Sequence, residues 1–152
     1  MARNRLIAMI AVAAVLAVAE PALAFQLISP QEAKLPAAQV VQIATRGLTR
    51  GPTVKQVSPP PNTAAPSGGS LTLDIAFDAH NGATIDPAKV KVIYMKQPAI
   101  DLTPRLRPFI TPNGIDATDV QIPPGTHMLR VEVTDSDGRS TTQIMTIQVA
   151  AN

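Results

Sequence analysis

The chain has 152 residues, a net charge of +2 and no cysteine. That length suits a single domain with a core of its own. The missing cysteine excludes a disulfide framework, a thiol nucleophile and a thiolate metal site. The small charge excludes a broad field for nucleic acid or anionic membrane.

Residues 1–24 read as a secretory signal peptide. Met1-Ala-Arg-Asn-Arg5 is a basic start, Leu6 to Val18 is uncharged and apolar, and Ala22-Leu23-Ala24 is an A-x-A cleavage site. Glu20-Pro21 breaks the apolar run before it reaches the roughly 20 residues of a membrane span. Arg3 and Arg5 are not adjacent, so a twin-arginine route is unsupported, and without cysteine there is no site for a lipoprotein anchor. Cleavage after Ala24 sets Phe25 at the start of the processed chain and removes Arg3, Arg5 and Glu20. The expected location is the periplasm or the secreted fraction, with no transmembrane segment after cleavage.

Residues 25–52 read as an N-terminal extension. In "SPQEAKL", Ser29 is placed as an N-cap, Pro30 at the first helical position and Glu32 as the return partner of a capping box. Pro36 limits that helix to a turn or two. "VVQIATRGLTRGP" is an extended segment that either lies along the domain or stays loose.

From Thr53 to the end, the period is two, broken by proline and glycine. "TVKQV" is a first strand, ended by Ser58-Pro59-Pro60-Pro61, and "NTAAPSGG" is a polar turn. "SLTLDIAFDA" places Leu71, Leu73, Ile75 and Phe77 on one face. After turns at His80-Asn81-Gly82 and Asp86-Pro87, "KVKVIYMK" places Val90, Val92 and Tyr94 together. "DVQI" is a further short strand, and "THMLRVEVTD" and "STTQIMTIQVA" form a hairpin around Asp135-Ser-Asp-Gly138. About seven short strands with no long helical period predict an all-β sandwich over residues 53–152.

"TIDPAKVKVIYM" followed by "PPGTHMLRVEVTDSDGRSTTQIMTIQV" resembles the bacterial immunoglobulin-like domains of exported and cell-surface proteins. The resemblance covers roughly Thr53 to Ala150 and implies an immunoglobulin-like antiparallel β-sandwich. It says little about function, because such sandwiches serve many roles. In that family a glycine, a tyrosine two positions on and a buried cysteine two further open one strand; Gly125, His127 and Leu129 stand at that spacing. The resemblance therefore implies a structural corner at Gly125 and His127, with a ring nitrogen of His127 on a backbone carbonyl. A second likeness is to CopC-like periplasmic copper-resistance proteins, which are also cysteine-free sandwiches. It implies copper at histidine and methionine. This chain departs from it in starting Phe25-Gln26 after cleavage rather than with a histidine, and Met95, Met128 and Met145 are unclustered.

Other chemistry reads as architecture. Asp135-x-Asp137-Gly138 echoes a calcium loop, yet no acidic side chain follows Gly138 to complete the six to eight oxygens. A hairpin turn with Asp135 on local amides is the better account, and His80 is a turn residue. No Gly-x-Ser-x-Gly elbow appears, though a paired-carboxylate hydrolase leaves no mark in sequence. No catalytic residue, cofactor or metal is expected. The most distinctive segment is "KQPAIDLTPRLRPFITPNGI", Lys96 to Ile115, divided by prolines. Lys96, Arg105, Arg107 and Phe109 are its candidate partner-binding residues. The bland alternative is a stiff crossover whose Leu102, Leu106, Phe109 and Ile110 plug the sandwich edge. The expected function is a non-catalytic binding or structural module contacting an envelope protein or surface polysaccharide.

Overall fold

The computed structural model describes residues 25–39 and 50–151; the signal-like residues 1–24 and the "VVQIATRGLT" stretch lie outside the described residues. Six strands are the longer ones, most of them built on alternation of apolar and polar residues: β2 (Thr53–Ser58), β4 (Leu71–Asp78), β5 (Lys91–Tyr94), β8 (Gly114–Gln121), β9 (Gly125–Thr134) and β10 (Ser140–Val149). Four two-residue strands complete the set: β1 (Phe25–Gln26), β3 (Ala64–Ala65), β6 (Ile100–Asp101) and β7 (Ile110–Thr111). The chain is all-β, in two open sheets. One runs β1-β8-β4-β2, with β7 also on β8, and the other runs β3-β10-β9-β5-β6.

Both sheets are mixed, which departs from a purely antiparallel expectation. β1 runs parallel to β8, and β3 runs parallel to β10. Neither is joined to its partner by a hairpin, so no turn imposes the antiparallel sense. The longer neighbours, β2 with β4, β4 with β8, β5 with β9 and β9 with β10, are all antiparallel.

Between the sheets lies one core. β4 supplies Leu71, Leu73, Ile75 and Phe77; β5 supplies Val92 and Tyr94; β9 supplies Leu129, Val131 and Val133; β10 supplies Met145, Ile147 and Val149. These are the inward positions of the period-two pattern. Full burial of each aliphatic side chain stabilises by about 1.5–3 kcal/mol. Leu102, Leu106 and Ile110 of the 96–115 segment join the same core, as do Leu27 and Ile28 from the N-terminal side. Residues 25–39 thus hold a fixed place, with β1 in one sheet and the rest packed beside it.

β8 differs most from its sequence reading. It begins at Gly114, five residues before the expected "DVQI" strand. Ile115 and Ala117 are buried on odd positions, but Val120 is buried on an even one. Asp119, at φ 55°, and a register shift opposite Leu71 and Leu73 absorb that change of phase. At Gly114, φ is 154° and a Cβ would run into the Ile75 carbonyl, so only glycine lets β4 approach there.

Candidate functional site

The 96–115 crossover is a built structure. Asp101 Oδ1 accepts the Thr103 N–H at 2.8 Å, and the Thr103 hydroxyl accepts the Val92 N–H at 2.9 Å. Thr103 thereby ties a short helix, α2 (Thr103–Leu106), to β5, with Pro104 in its first turn where no N–H is missed. The hydrogen bonding from Thr103, followed by smaller effects of Lys91 and Arg107, holds the Asp101 carboxyl below the usual carboxylate range. A 3-10 turn, Arg107–Phe109, leads from α2 into β7.

Three of the four candidate contact residues of this segment are bound to the N-terminal residues of the protein itself. Arg105 makes a two-pronged pair with Glu32, at 2.9 and 2.6 Å, and donates to the Leu27 carbonyl at 2.7 Å. Glu32 belongs to helix α1 (Pro30–Ala33) and also accepts the Ser29 N–H at 2.8 Å, while the Ser29 hydroxyl accepts the Glu32 N–H at 3.2 Å. That is the capping box read from "SPQE". The Arg105 guanidinium, then the Ser29 bonds, pull the Glu32 carboxyl down to about 2 despite its partial burial. Glu32 in turn raises Arg105.

Lys96 is the second fastener. Its Nζ donates to the carbonyls of Ala33 and Leu35 at 2.8 and 2.9 Å and lies 5.3 Å from the Tyr94 ring centroid. Backbone bonds from Ala38 to Met95 and from Gln97 to Pro36 continue the attachment. Phe109 packs on Phe25, with centroids 5.5 Å apart. Arg107 alone of the four is exposed, and its guanidinium donates to the Pro87 carbonyl at 2.9 Å.

Gly125 and His127 stand at the opening of β9. His127 is 2% exposed; its Nε2 lies 2.8 Å from the Pro123 carbonyl, and its Nδ1 lies 2.8 Å from the Tyr94 hydroxyl. Burial lowers the His127 pKa, and the Pro123 bond only partly opposes this. Burial, with a smaller effect of Glu32, pushes the Tyr94 hydroxyl up to about 12. Sequence placed the histidine at a corner, but the bond to Tyr94, 33 residues away, has no local signature.

The remaining candidates also have local partners. Asp135 Oδ1 accepts the N–H groups of Asp137 and Arg139 at 3.0 and 2.8 Å, Asp137 pairs with Arg139, and Gly138 takes φ 78°. His80 Nε2 is 2.8 Å from the Thr53 hydroxyl, beside Asn81 and Gly82 at φ 58° and 78°. Among the described residues no three His, Cys, Asp or Glu side chains gather as metal ligands, and no helix is long and apolar enough to cross a membrane. Shallow clefts also mark the surface of the described residues, two of which lie near these elements. One, of about 310 Å³, lies where Ile28, Gly69, Gln121 and Pro123 meet; the other, of about 440 Å³, lies between β2 and β10. No family model matches the chain, and neither a curated protein nor a solved structure does.

Proposed function

We propose that the chain is an exported, non-catalytic binding or structural module of immunoglobulin-like type. It works in the periplasm or outside the cell and presents the 96–115 crossover to an envelope protein or surface polymer. One observation carries the reading: this crossover is stiffened and anchored, yet keeps an exposed cation, Arg107. Pro98, Pro104, Pro108 and Pro112 limit its backbone. Arg105 and Lys96 lock its underside, and Arg107 faces outward next to exposed Pro108 and half-buried Phe109. A surface ordered before contact loses less entropy on binding.

The immunoglobulin-like part of the reading is supported by strand order. β2, β4 and β8 stand as strands A, B and E of such a domain, and β5, β9 and β10 as C, F and G. His127, bonded back to Pro123, occupies the corner that a tyrosine fills in that family. The basic-apolar sequence of residues 1–24 supports export.

Arg107→Glu is the clean test, because its one bond is exposed and its loss leaves the core untouched. A partner is first captured from envelope extract on immobilised protein, identified, and then titrated in purified form. Arg107→Glu is expected to weaken that binding at least tenfold with an unchanged Tm. Undiminished binding would remove the crossover from the interface. Arg105→Glu is unsuitable, since it puts a carboxylate against Glu32 and breaks the clamp.

A further inference from the structure

We propose that β10 is a pairing edge for a second copy of this chain, joined antiparallel about a two-fold axis at Ile144. The inference is independent of the crossover and starts from strand parity. β10 pairs with β9 over ten continuous positions without a bulge. The Ala150 N–H bonds outward to Ala65, and the Thr146 carbonyl accepts from Gln56 Nε2, not from β9. Met128, opposite Thr146, turns its carbonyl to Met95 of the far neighbour. Even-numbered residues of β10 therefore point their backbone groups away from β9, as antiparallel pairing requires. At Thr142, Ile144 and Thr146 that outward side has no strand partner among the described residues.

The other sheet edges are protected in familiar ways. β2 carries Lys55 and runs into three prolines; β6 has two residues and is soon followed by Pro104; β1 and β3 are two residues long. β10, by contrast, reads Ser-Thr-Thr-Gln-Ile-Met-Thr-Ile-Gln-Val, with no charge and no proline. Such an edge is a template for another strand.

Spacing favours a second copy as the occupant. The outward positions Thr142, Ile144 and Thr146 are symmetric about Ile144. A two-fold axis there sets Ile144 opposite Ile144 of the second copy, and Thr142 opposite its Thr146. Up to about six backbone hydrogen bonds would form across the seam once the Gln143 and Gln56 side-chain amides release the Ile144 and Thr146 carbonyls. All three side chains are β-branched and uncharged, which suits cross-strand pairs. On the inner face, Gln143 of the second copy comes opposite Met145, at the mouth of the cleft between β2 and β10. The Gln56 to Thr146 bond, at 3.4 Å, is long enough to yield. β3, at Gln148 and Val149, and Gly51, packed on Ser140, limit the open length to the middle of the strand. A seam that short is smaller than a standard stable interface, so the dimer is weak, with a Kd of about 10–100 μM.

Sedimentation velocity of the purified chain across ~1–500 μM tests the proposal, with Ile144→Lys, Ile144→Glu and their equimolar mixture alongside. Wild type is expected to move from monomer to dimer. Each variant sets like charges across the axis and should raise Kd at least tenfold, while the mixture restores the dimer. Thr142→Pro removes one outward N–H without touching the β9 bonds and should also weaken it, keeping the test valid if a charged variant folds poorly. A dimer indifferent to all these changes would place the interface elsewhere. A mixture that stays monomeric would deny the two-fold at Ile144. A wild type that is monomeric throughout, with the amides of Thr142, Ile144 and Thr146 protected from exchange, would mean that the same chain covers the edge. The same monomer with those amides unprotected would mean that the edge stays unpaired. Each of these four results overturns the proposal.

Discussion

Pro123 offers His127 only a carbonyl oxygen, so the imidazole must donate there, and Nε2 carries the proton. In the neutral ring, Nδ1 then accepts from the Tyr94 hydroxyl, which stays protonated because its pKa is about 12. Both buried polar groups are thus satisfied by one tautomer, and a second proton on the ring would turn Nδ1 from acceptor to donor. Burial sets the His127 pKa below its ordinary 6.5. Between the lowered folded value and about 6.5, the unfolded chain binds more protons, so stability falls as pH falls through that interval. Urea midpoints from pH 8 to pH 4 should show this loss beginning near 6.5 and levelling off below the folded pKa. His127→Phe should flatten that part of the curve and cost about 1–3 kcal/mol at pH 8, the penalty for leaving Tyr94 and Pro123 unpaired. An unchanged slope would mean that another group titrates.

At the scale of the element, α1 has four residues, too few to persist without help. The capping box supplies part of it, and that part was legible in "SPQE" because its partners lie three residues apart. The rest was not. Arg105 is 73 residues from Glu32, and Lys96 bonds only to backbone carbonyls, which leave no trace in side-chain pattern. Lys96, Arg105, Arg107 and Phe109 are neighbours in sequence, and three of them also hold the N-terminal segment. The Glu32 carboxyl, drawn from 4.5 to about 2, gives stability that is complete above about 4.5 and lost as pH falls toward 2. Glu32→Gln should cost about 1 kcal/mol at neutral pH, a figure kept small because Arg105 is 37% exposed and screened. Hydrogen exchange should quicken between Leu27 and Ala38 while β9 stays protected. Equal quickening in both would show that the clamp is not local.

For the whole molecule, strict alternation made β4, β5 and β9 legible, since each keeps one phase from end to end, and β10 alternates from Ile144 onward. β8 changes phase at Asp119, and the two-residue strands are too short to have a period, so tertiary pairing alone defines them. The same limit hid the role of residues 25–39. "FQLIS" has no alternation to mark it, yet Leu27 and Ile28 are fully buried and share the core with Leu102, Leu106 and Tyr94. If this segment belongs to the cooperative unit, Leu27→Ala and Ile28→Ala should each cost about 2–5 kcal/mol. That is a large share of the 5–15 kcal/mol typical of a domain and lowers Tm by ~10–20 °C. Tyr94 fluorescence and far-UV circular dichroism should report one shared transition, because Lys96 links the Tyr94 ring to the Ala33 carbonyl of α1. A shift below about 0.5 kcal/mol, the range of surface changes, would make residues 25–39 an appendage, with the sandwich beginning at β2.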